Sequence, residues 1–221
     1  MNISIRDKIE SKSLKLLNEY FQKVGVPINT PIPVLEIVES VGFNYDFRMD
    51  GVYQDKDLLG GLHLDSKMIV INQHIAEQEG RMHFTAAHEL GHLMLHASEN
   101  KECSEFDELH NEFDKNIEME ADFFAACLLM PTDKVKKAFF KFRKSPLTMT
   151  DYKFFGLLKK KRSRKQRAMF IANKIRVIGG FENVSKLAFL NRLIGINLIR
   201  GISPQSYKKK KELNKMEVIK M

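Results

Sequence analysis

Cysteine is scarce in this sequence of 221 residues, which contains only Cys103 and Cys127. Two cysteines are too few for the disulfide framework of a small secreted domain, so reduced thiols in a cytoplasmic protein are expected. Apolar runs are also short, and none approaches the roughly 20 residues that a membrane-spanning helix needs. The polar start of the chain shows neither the apolar core nor the cleavage site of a secretory signal. These features together predict a soluble cytoplasmic protein.

Charge is distributed unevenly along the chain. Residues 1–130 contain 11 lysines and arginines against 23 aspartates and glutamates, whereas residues 131–221 contain 25 against 5. The net charge therefore changes from −12 to +20 where Met130-Pro131-Thr132-Asp133 indicates the end of one helix and the start of another. Such a shift favours two regions with different roles. We expect a domain over 1–130, a basic helical region over 131–205 and a basic flexible tail over 206–221.

The acidic half mixes helical and strand-like patterns. Helices are expected over residues 6–24, 33–41, 81–97 and 116–130, and short strands over 43–47, 51–54, 59–64 and 67–72. Glycine and aspartate clusters separate the strands, which is typical of a small meandering sheet. The order of these elements predicts an α+β domain. The basic half has helical patterns, and its segments RAMFIANKIRVIGG and VSKLAFLNRLIGINLI resemble a helix-turn-helix around a Gly-Gly turn.

Residues 84–96, FTAAHELGHLMLH, carry three histidines at intervals of four. The first two, His88 and His92, fit the pattern H-E-x-x-H together with Glu89. Side chains four positions apart lie on one helix face, so these two histidines are able to share a metal ion. Glu89 projects about 100° round the helix from His88, where a carboxylate can act as general base for a metal-bound water. The apolar surroundings predict a buried helix, in which such polar groups need partners.

His96 continues the histidine series but is not expected to bind the same ion. In a continuous helix it lies about 6 Å beyond His92 and about 12 Å from His88, whereas zinc–nitrogen bonds are near 2 Å. No glycine interrupts the segment HLMLH to bring it closer. We expect His96 to lie at the helix end, where the helix dipole favours it, and at most to contact a metal ligand.

A third ligand must come from elsewhere in the chain. The candidates are His63, His74, His83, His110, Cys103, Glu118, Glu120 and Asp122. The helix NIEMEADFFAACLLMP is the best source, and we prefer Glu120 because its neighbours on the helix surface are apolar. A carboxylate on such a face is costly unless it is paired or metal-bound. Glu118 has a more solvated surrounding, and Asp122 is suited to orient a ligand histidine by a hydrogen bond.

The segments RMHFTAAHELGHLMLH and EMEADFFAACLLMP resemble the ImmA/IrrE family of bacterial zinc metallopeptidases. They match the family patterns F-T-x-A-H-E-L-G-H and E-x-E-A-N/D-x-F-A-A-x-L-L-M-P. The resemblance implies a zincin-like fold with a small antiparallel or mixed sheet and one Zn²⁺. By position, it implies that His88, His92 and Glu120 bind the zinc and that Glu89 is the catalytic base. Asp122 stands where the family often has asparagine.

The resemblance also implies a partner. Known members cleave helix-turn-helix repressors and thereby switch on mobile-element, phage or stress genes. In zincin-like folds an edge strand pairs with the substrate backbone, and residues 59–64 or 67–72 are candidates for it. Tyr53 and His63 are candidate contacts to the substrate or the transition state. The alternative is a zinc-stabilised regulatory module that binds a repressor or DNA without cleavage, but three protein ligands leave an open position that favours catalysis.

The basic runs at residues 158–167 and 208–211 favour two interpretations besides a solvated surface. One is nonspecific contact with nucleic-acid phosphates, and the other is docking on an acidic surface, including the acidic half of the same chain. Sequence-specific DNA reading is disfavoured because the second helix of the helix-turn-helix-like segment is largely apolar. Its polar candidates for base contacts are Lys186, Asn191 and Arg192. We therefore predict a packed structural helix there.

Overall fold

A computed structural model gives the structure of the protein and describes residues 1–97, 112–150 and 163–204. The chain forms a mixed α+β fold followed by a mainly helical region, as predicted. In chain order the elements are α1 (Ile3–Val24), α2 (Val34–Ser40), β1 (Asn44–Arg48), β2 (Gly60–His63), β3 (Met68–Asn72), α3 (Glu79–His96), α4 (Glu112–Leu129), α5 (Thr132–Phe142), β4 (Leu147–Thr148), α6 (Arg164–Ile178), α7 (Lys186–Gly195) and β5 (Ile199–Arg200). A helix long and apolar enough to span a membrane does not occur within these described ranges.

Helix α1 covers one side of α4. It begins where the Asn2 side chain accepts a hydrogen bond from the Ser4 N–H, and it ends at Gly25, whose φ of +79° is the left-handed conformation that favours glycine. Its buried apolar residues, such as Leu17 and Phe21, follow the helical period. Helix α1 thus packs against the helix that carries Glu118 and Asp122.

The sheet has three strands in the order β1-β3-β2. Strand β3 runs parallel to β1 and antiparallel to β2, so the sheet is mixed. The central residues Ile69, Val70 and Ile71 are fully buried, whereas β2 is the outer strand on the side of α3. This arrangement leaves one edge of β2 outside the three-stranded ladder.

The predicted strand at residues 51–54 is wrong, because Gly51–Gln54 forms a 3₁₀ turn. The turn begins at Gly51 with a φ of +54°. The buried Asn72 side chain then donates to the carbonyls of Tyr53, Asp55 and Leu58 at 2.7–2.9 Å. A side chain thus satisfies backbone groups that a strand would have paired in a ladder.

The basic half is helical apart from a short parallel pair that the sequence did not predict. Strand β4 pairs with β5, which joins the segment after α5 to the segment after α7. The core is continuous across the change of charge near residue 130. The apolar cluster includes buried residues from both sides of it, among them Leu90, Phe124, Leu128, Phe139, Ile175, Phe189 and Leu193. The division into domains at residue 130 stays a prediction, and the proposed tail at 206–221 lies outside the described residues.

Candidate metal centre

Helices α3 and α4 approach closely because small residues meet between them. A Cβ atom at Gly91 would lie 3.1 Å from both the Cα and the carbonyl oxygen of Ala121. Any side chain at Gly91 would therefore push the two backbones apart. The contact fixes which face of α4 meets α3. Glu118 and Asp122 lie beside that face, because Glu118 precedes Ala121 by three residues and Asp122 directly follows it.

His88, His92 and Glu118 converge on one point. The two histidine Nε2 atoms are 2.9 Å apart, and the Glu118 carboxylate oxygens lie 3.2 Å from Nε2 of His88 and 3.3 Å from Nε2 of His92. Ligand atoms about 2.0–2.1 Å from a tetrahedral zinc are about 3.3–3.4 Å apart. The spacing and the chemistry of these donors therefore fit one divalent ion held by two imidazoles and one carboxylate.

The structure brings Glu118, and not the predicted third ligand Glu120, to the two histidines. The Glu120 carboxylate lies 3.4 Å from His96 Nε2, while Glu118 reaches both His88 and His92. The reason is the phase of α4, since side chains two positions apart project about 200° apart around a helix. The apolar neighbours that favoured Glu120 have no counterpart at Glu118, whose side chain is 60% exposed. An exposed carboxylate can bind a metal without being embedded in an apolar face.

Asp122 holds His88 from its other ring nitrogen. Its Oδ1 atom is 2.9 Å from His88 Nδ1. A proton on Nδ1 that is donated to Asp122 leaves Nε2 free to bind an ion. Asp122 is thus placed to orient a ligand histidine, which is the role predicted for it from the sequence. The signal that identifies Glu118 was present as well, because Glu118 and Asp122 are four residues apart and share one helix face.

The electrostatics of the cluster favour positive charge. Burial lowers the pKa of His88, but hydrogen bonds to Asp122 and Glu118 outweigh it and raise that pKa to about 10. Hydrogen bonds from His88 and His92 lower the pKa of Glu118 strongly. The same carboxylates that stabilise a proton on His88 are placed to stabilise a metal cation in its stead.

Glu89 is buried beside the histidines and next to β2. Its exposed fraction is 9%, and burial raises its pKa although the neighbouring His88 and His92 oppose the shift. A Cβ at Gly60 would lie 3.3 Å from Glu89 Oε1 and 2.6 Å from the Thr85 methyl group. Glycine therefore lets the β2 backbone lie directly against Glu89. A carboxylate with a raised pKa is suited to accept a proton near neutral pH.

Tyr53 and His63 form a pair of their own. The Tyr53 hydroxyl is 2.7 Å from His63 Nε2, and burial raises the pKa of Tyr53, with a further contribution from the charge of Glu89. A Cβ at Gly61 would lie 2.5 Å from the Tyr53 hydroxyl, whereas Gly60 faces Glu89. Since consecutive strand residues face opposite sides, the pair lies on the face of β2 away from α3. Contact of either residue with a substrate stays a prediction.

The other histidine and cysteine candidates lie apart from the cluster or outside the described residues. The His96 ring centroid is 5.5 Å from that of His92, so it contacts a ligand histidine and pairs with Glu120. His83 Nδ1 bonds the Glu79 carbonyl at 2.8 Å, and His74 lies in the 3₁₀ turn after β3. Cys103 and His110 fall in the segment that the structure leaves undescribed.

One comparison with known proteins bears on this site. A family model described as Peptidase_M78, the IrrE N-terminal-like domain, matches residues 46–153. The matched segment includes α3 and α4, and with them every residue of the metal cluster and Glu89. No curated protein matches the chain significantly.

Proposed function

Because this match makes the chain a member of the ImmA/IrrE family of metallopeptidases, we propose that it is a zinc-dependent endopeptidase. Peptidase activity and metal dependence in general follow from the family. One observation carries the more specific proposal: His88, His92 and Glu118 converge on one point while Glu89 is buried beside them. The mixture of imidazole and carboxylate donors favours zinc over the hard cations that prefer oxygen alone.

The residues divide the work of peptide hydrolysis among them. His88, His92 and Glu118 would hold the ion, which supplies a bound water of lowered pKa and polarises the peptide carbonyl. Glu89 accepts the proton of the attacking water and returns it to the leaving amine. Asp122 keeps His88 in the tautomer that presents Nε2. The outer edge of β2 offers backbone groups for pairing with an extended substrate.

The proposed substrate is a helix-turn-helix repressor. Family membership supports this choice, and the test uses a small helix-turn-helix protein encoded beside this chain. Incubation with the zinc-loaded protein is expected to remove the intact repressor at one peptide bond, as measured by mass spectrometry, and addition of a chelator is expected to stop the loss. Binding of the repressor without cleavage would support the alternative, a zinc-stabilised regulatory module.

A second partner, nucleic acid, is proposed from the surface of α5. Lys136, Lys137 and Lys141 are exposed, and none of them forms an ion pair within the part of the chain that the structure describes. Phe140 lies among them and is 48% exposed. Unpaired lysines beside an exposed aromatic ring favour nonspecific contact with phosphates and bases. Arg192 does not support base reading, because its side chain is buried.

Reversing the charge of Lys136, Lys137 and Lys141 to glutamate is expected to weaken binding of a fluorescent duplex at low salt by at least about tenfold. The slope of log affinity against log salt should fall by about three, or one for each phosphate contact. Fluorescence anisotropy measures both quantities. The matched control reverses Lys8, Lys12 and Lys23, which are exposed on α1. Equal effects in the two triple variants would show that only net charge matters and would remove α5 as the contact surface.

A further inference from the structure

We infer that Arg192 is a positioning residue for the metal centre, which holds α4 from behind so that Glu118 and Asp122 stand correctly against α3. The inference rests on the metal site proposed above. It concerns side chains on α1 and α7, and both helices lie outside the segment that matches the peptidase family. Residues beyond the matched domain would thus take part in building its metal site.

Arg192 connects four helices through hydrogen bonds. From α7, its Nε atom donates to the Met130 carbonyl at the end of α4 at 3.1 Å. Its Nη2 atom donates to Glu10 Oε1 on α1 at 3.0 Å and to the Thr132 hydroxyl at the start of α5 at 2.8 Å. The Thr132 hydroxyl in turn donates to Glu10. We name Arg192, Glu10, Thr132 and the Met130 carbonyl the Arg192 junction.

The arginine of the junction is buried and its charge is matched. The Arg192 side chain is 4% exposed, and its ionic partner Glu10 is 37% exposed. Truncation of Arg192 would remove its hydrogen bonds to Glu10 and Thr132 and leave an unfilled space, so the surrounding helices would shift or admit water. Truncation of Arg192 would also leave the Met130 carbonyl without this donor. The junction therefore sets the position of the last turn of α4.

A second contact reaches the middle of α4, next to the metal centre. The Arg192 guanidinium carbon lies 5.9 Å from the centroid of the Phe123 ring, and that of Arg6 on α1 lies 5.4 Å from the same centroid. Phe123 directly follows Asp122 and comes five residues after Glu118, which places it about 140° round the helix from Glu118. The cations thus hold the back of α4 at the level where its front carries the metal-binding groups.

The geometry of the metal site depends on how α4 lies against α3. Gly91 meets Ala121 between the two helices without room for a further side chain, so a small movement of α4 is transmitted directly to its neighbours. The donor distances of 3.2–3.3 Å from Glu118 to the two histidines depend on the position of α4 to within a few tenths of an ångström. A displaced α4 would pull Glu118 and Asp122 away from the histidines together.

Arg176 offers a matched control in the same helical region. Its guanidinium donates to the carbonyls of Phe181, Glu182 and Val184 at 3.0–3.2 Å. These bonds hold the turn between α6 and α7 and do not involve α4. Arg176→Ala therefore removes three arginine–carbonyl hydrogen bonds that stabilise the fold. It leaves the contacts of Arg192 with α4 intact.

The test measures the zinc affinity of the full chain in competition with a coloured chelator, at a temperature where circular dichroism shows each variant folded. Arg192→Ala is expected to bind zinc about tenfold more weakly, as when groups that orient metal ligands are removed. Arg176→Ala should stay within about twofold of the wild type, even if its melting temperature falls as far. Arg192→Lys, which keeps the charge beside Glu10, should recover part of the affinity. The visible spectrum of the cobalt-loaded protein should change in Arg192→Ala alone.

Equal zinc affinity in Arg192→Ala and the wild type would overturn the inference, and so would equal weakening in Arg192→Ala and Arg176→Ala. If Arg192→Ala does not fold, Arg192→Lys and Glu10→Gln decide the matter, because each weakens the junction while it keeps a hydrogen-bonding side chain at the position. Wild-type affinity in both of these would reject the role of Arg192. A wild-type protein that binds no zinc would instead reject the metal site on which the inference depends.

Discussion

Glu89→Gln is expected to abolish repressor cleavage and to leave zinc bound. Glutamine has the shape of glutamate but cannot accept the proton of the attacking water, and loss of a general base typically slows a reaction by about 10²–10⁴-fold. Zinc affinity should stay within about threefold, because Glu118 rather than Glu89 reaches the two ligand histidines. Mass spectrometry of the repressor measures cleavage, and metal analysis of the purified variant measures zinc.

Stability provides an internal check on this variant. Burial raises the pKa of Glu89, so the folded state holds its proton more tightly than the unfolded state does. When folding raises the pKa of a carboxyl group, the protein loses stability as the pH rises through that pKa. The reason is that the charged carboxylate is less favourable in the folded state than in the unfolded state. Metal-free Glu89→Gln should therefore melt at or above the wild-type temperature at pH 7. The control is Glu79→Gln, an exposed position on the same helix.

Two outcomes would contradict the role of Glu89. Cleavage at the wild-type rate by Glu89→Gln would show that another group accepts the proton. Loss of zinc from a folded Glu89→Gln protein would place Glu89 among the ligands. The matched Glu79→Gln variant should cleave at the wild-type rate in either case.

Glu118→Ala and Glu120→Ala are expected to differ strongly in zinc affinity. Glu118 approaches Nε2 of both histidines, so its removal should weaken zinc binding by at least about a hundredfold, the upper range for changes around a metal. Glu120 pairs with His96, one helical turn beyond His92, and its removal should cost less than about fivefold. Competition with a chelator measures both affinities under one set of conditions.

The comparison between these two variants is sharp because they share a helix and a side chain. Both carboxylates lie on α4, two residues apart, so a general change in charge or helix stability affects them alike. If Glu120→Ala lost zinc and Glu118→Ala retained it, the third ligand would be Glu120 after all. Equal losses would point to an indirect effect on α4 as a whole.

The sequence predicted what depends on a single helix. The convergence of His88 and His92 and the separate position of His96 follow from helical geometry. The family match confirms the metallopeptidase family to which the motif points, and the role of Glu89 stays a prediction. The choice between Glu118 and Glu120 depends instead on which face of α4 meets α3. That face is set by Gly91 against Ala121, a contact between two helices that no local pattern specifies.

Other features were missed for the same reason. The Asn72 side chain donates hydrogen bonds to three carbonyls that lie 14 to 19 residues earlier in the chain. These bonds stabilise a turn, rather than a strand, at residues 51–54. Arg192 was a candidate for base contacts because it is polar. Its guanidinium instead donates a hydrogen bond to Glu10, a residue 182 positions away in the chain. The expectation of a packed structural helix around Arg192 came from its apolar neighbours, and the buried face of α7 has that composition.

The continuous core across residue 130 has an electrostatic consequence. The core joins described residues of net negative charge before residue 130 to described residues of net positive charge after it, so the molecule has a permanent electric dipole. Near a polyanion such a molecule experiences a torque that turns its basic half forward and its acidic half, with the metal cluster, outward. Orientation would then precede contact, and the basic half would reach the polyanion first while the metal site stays on the side that faces solvent.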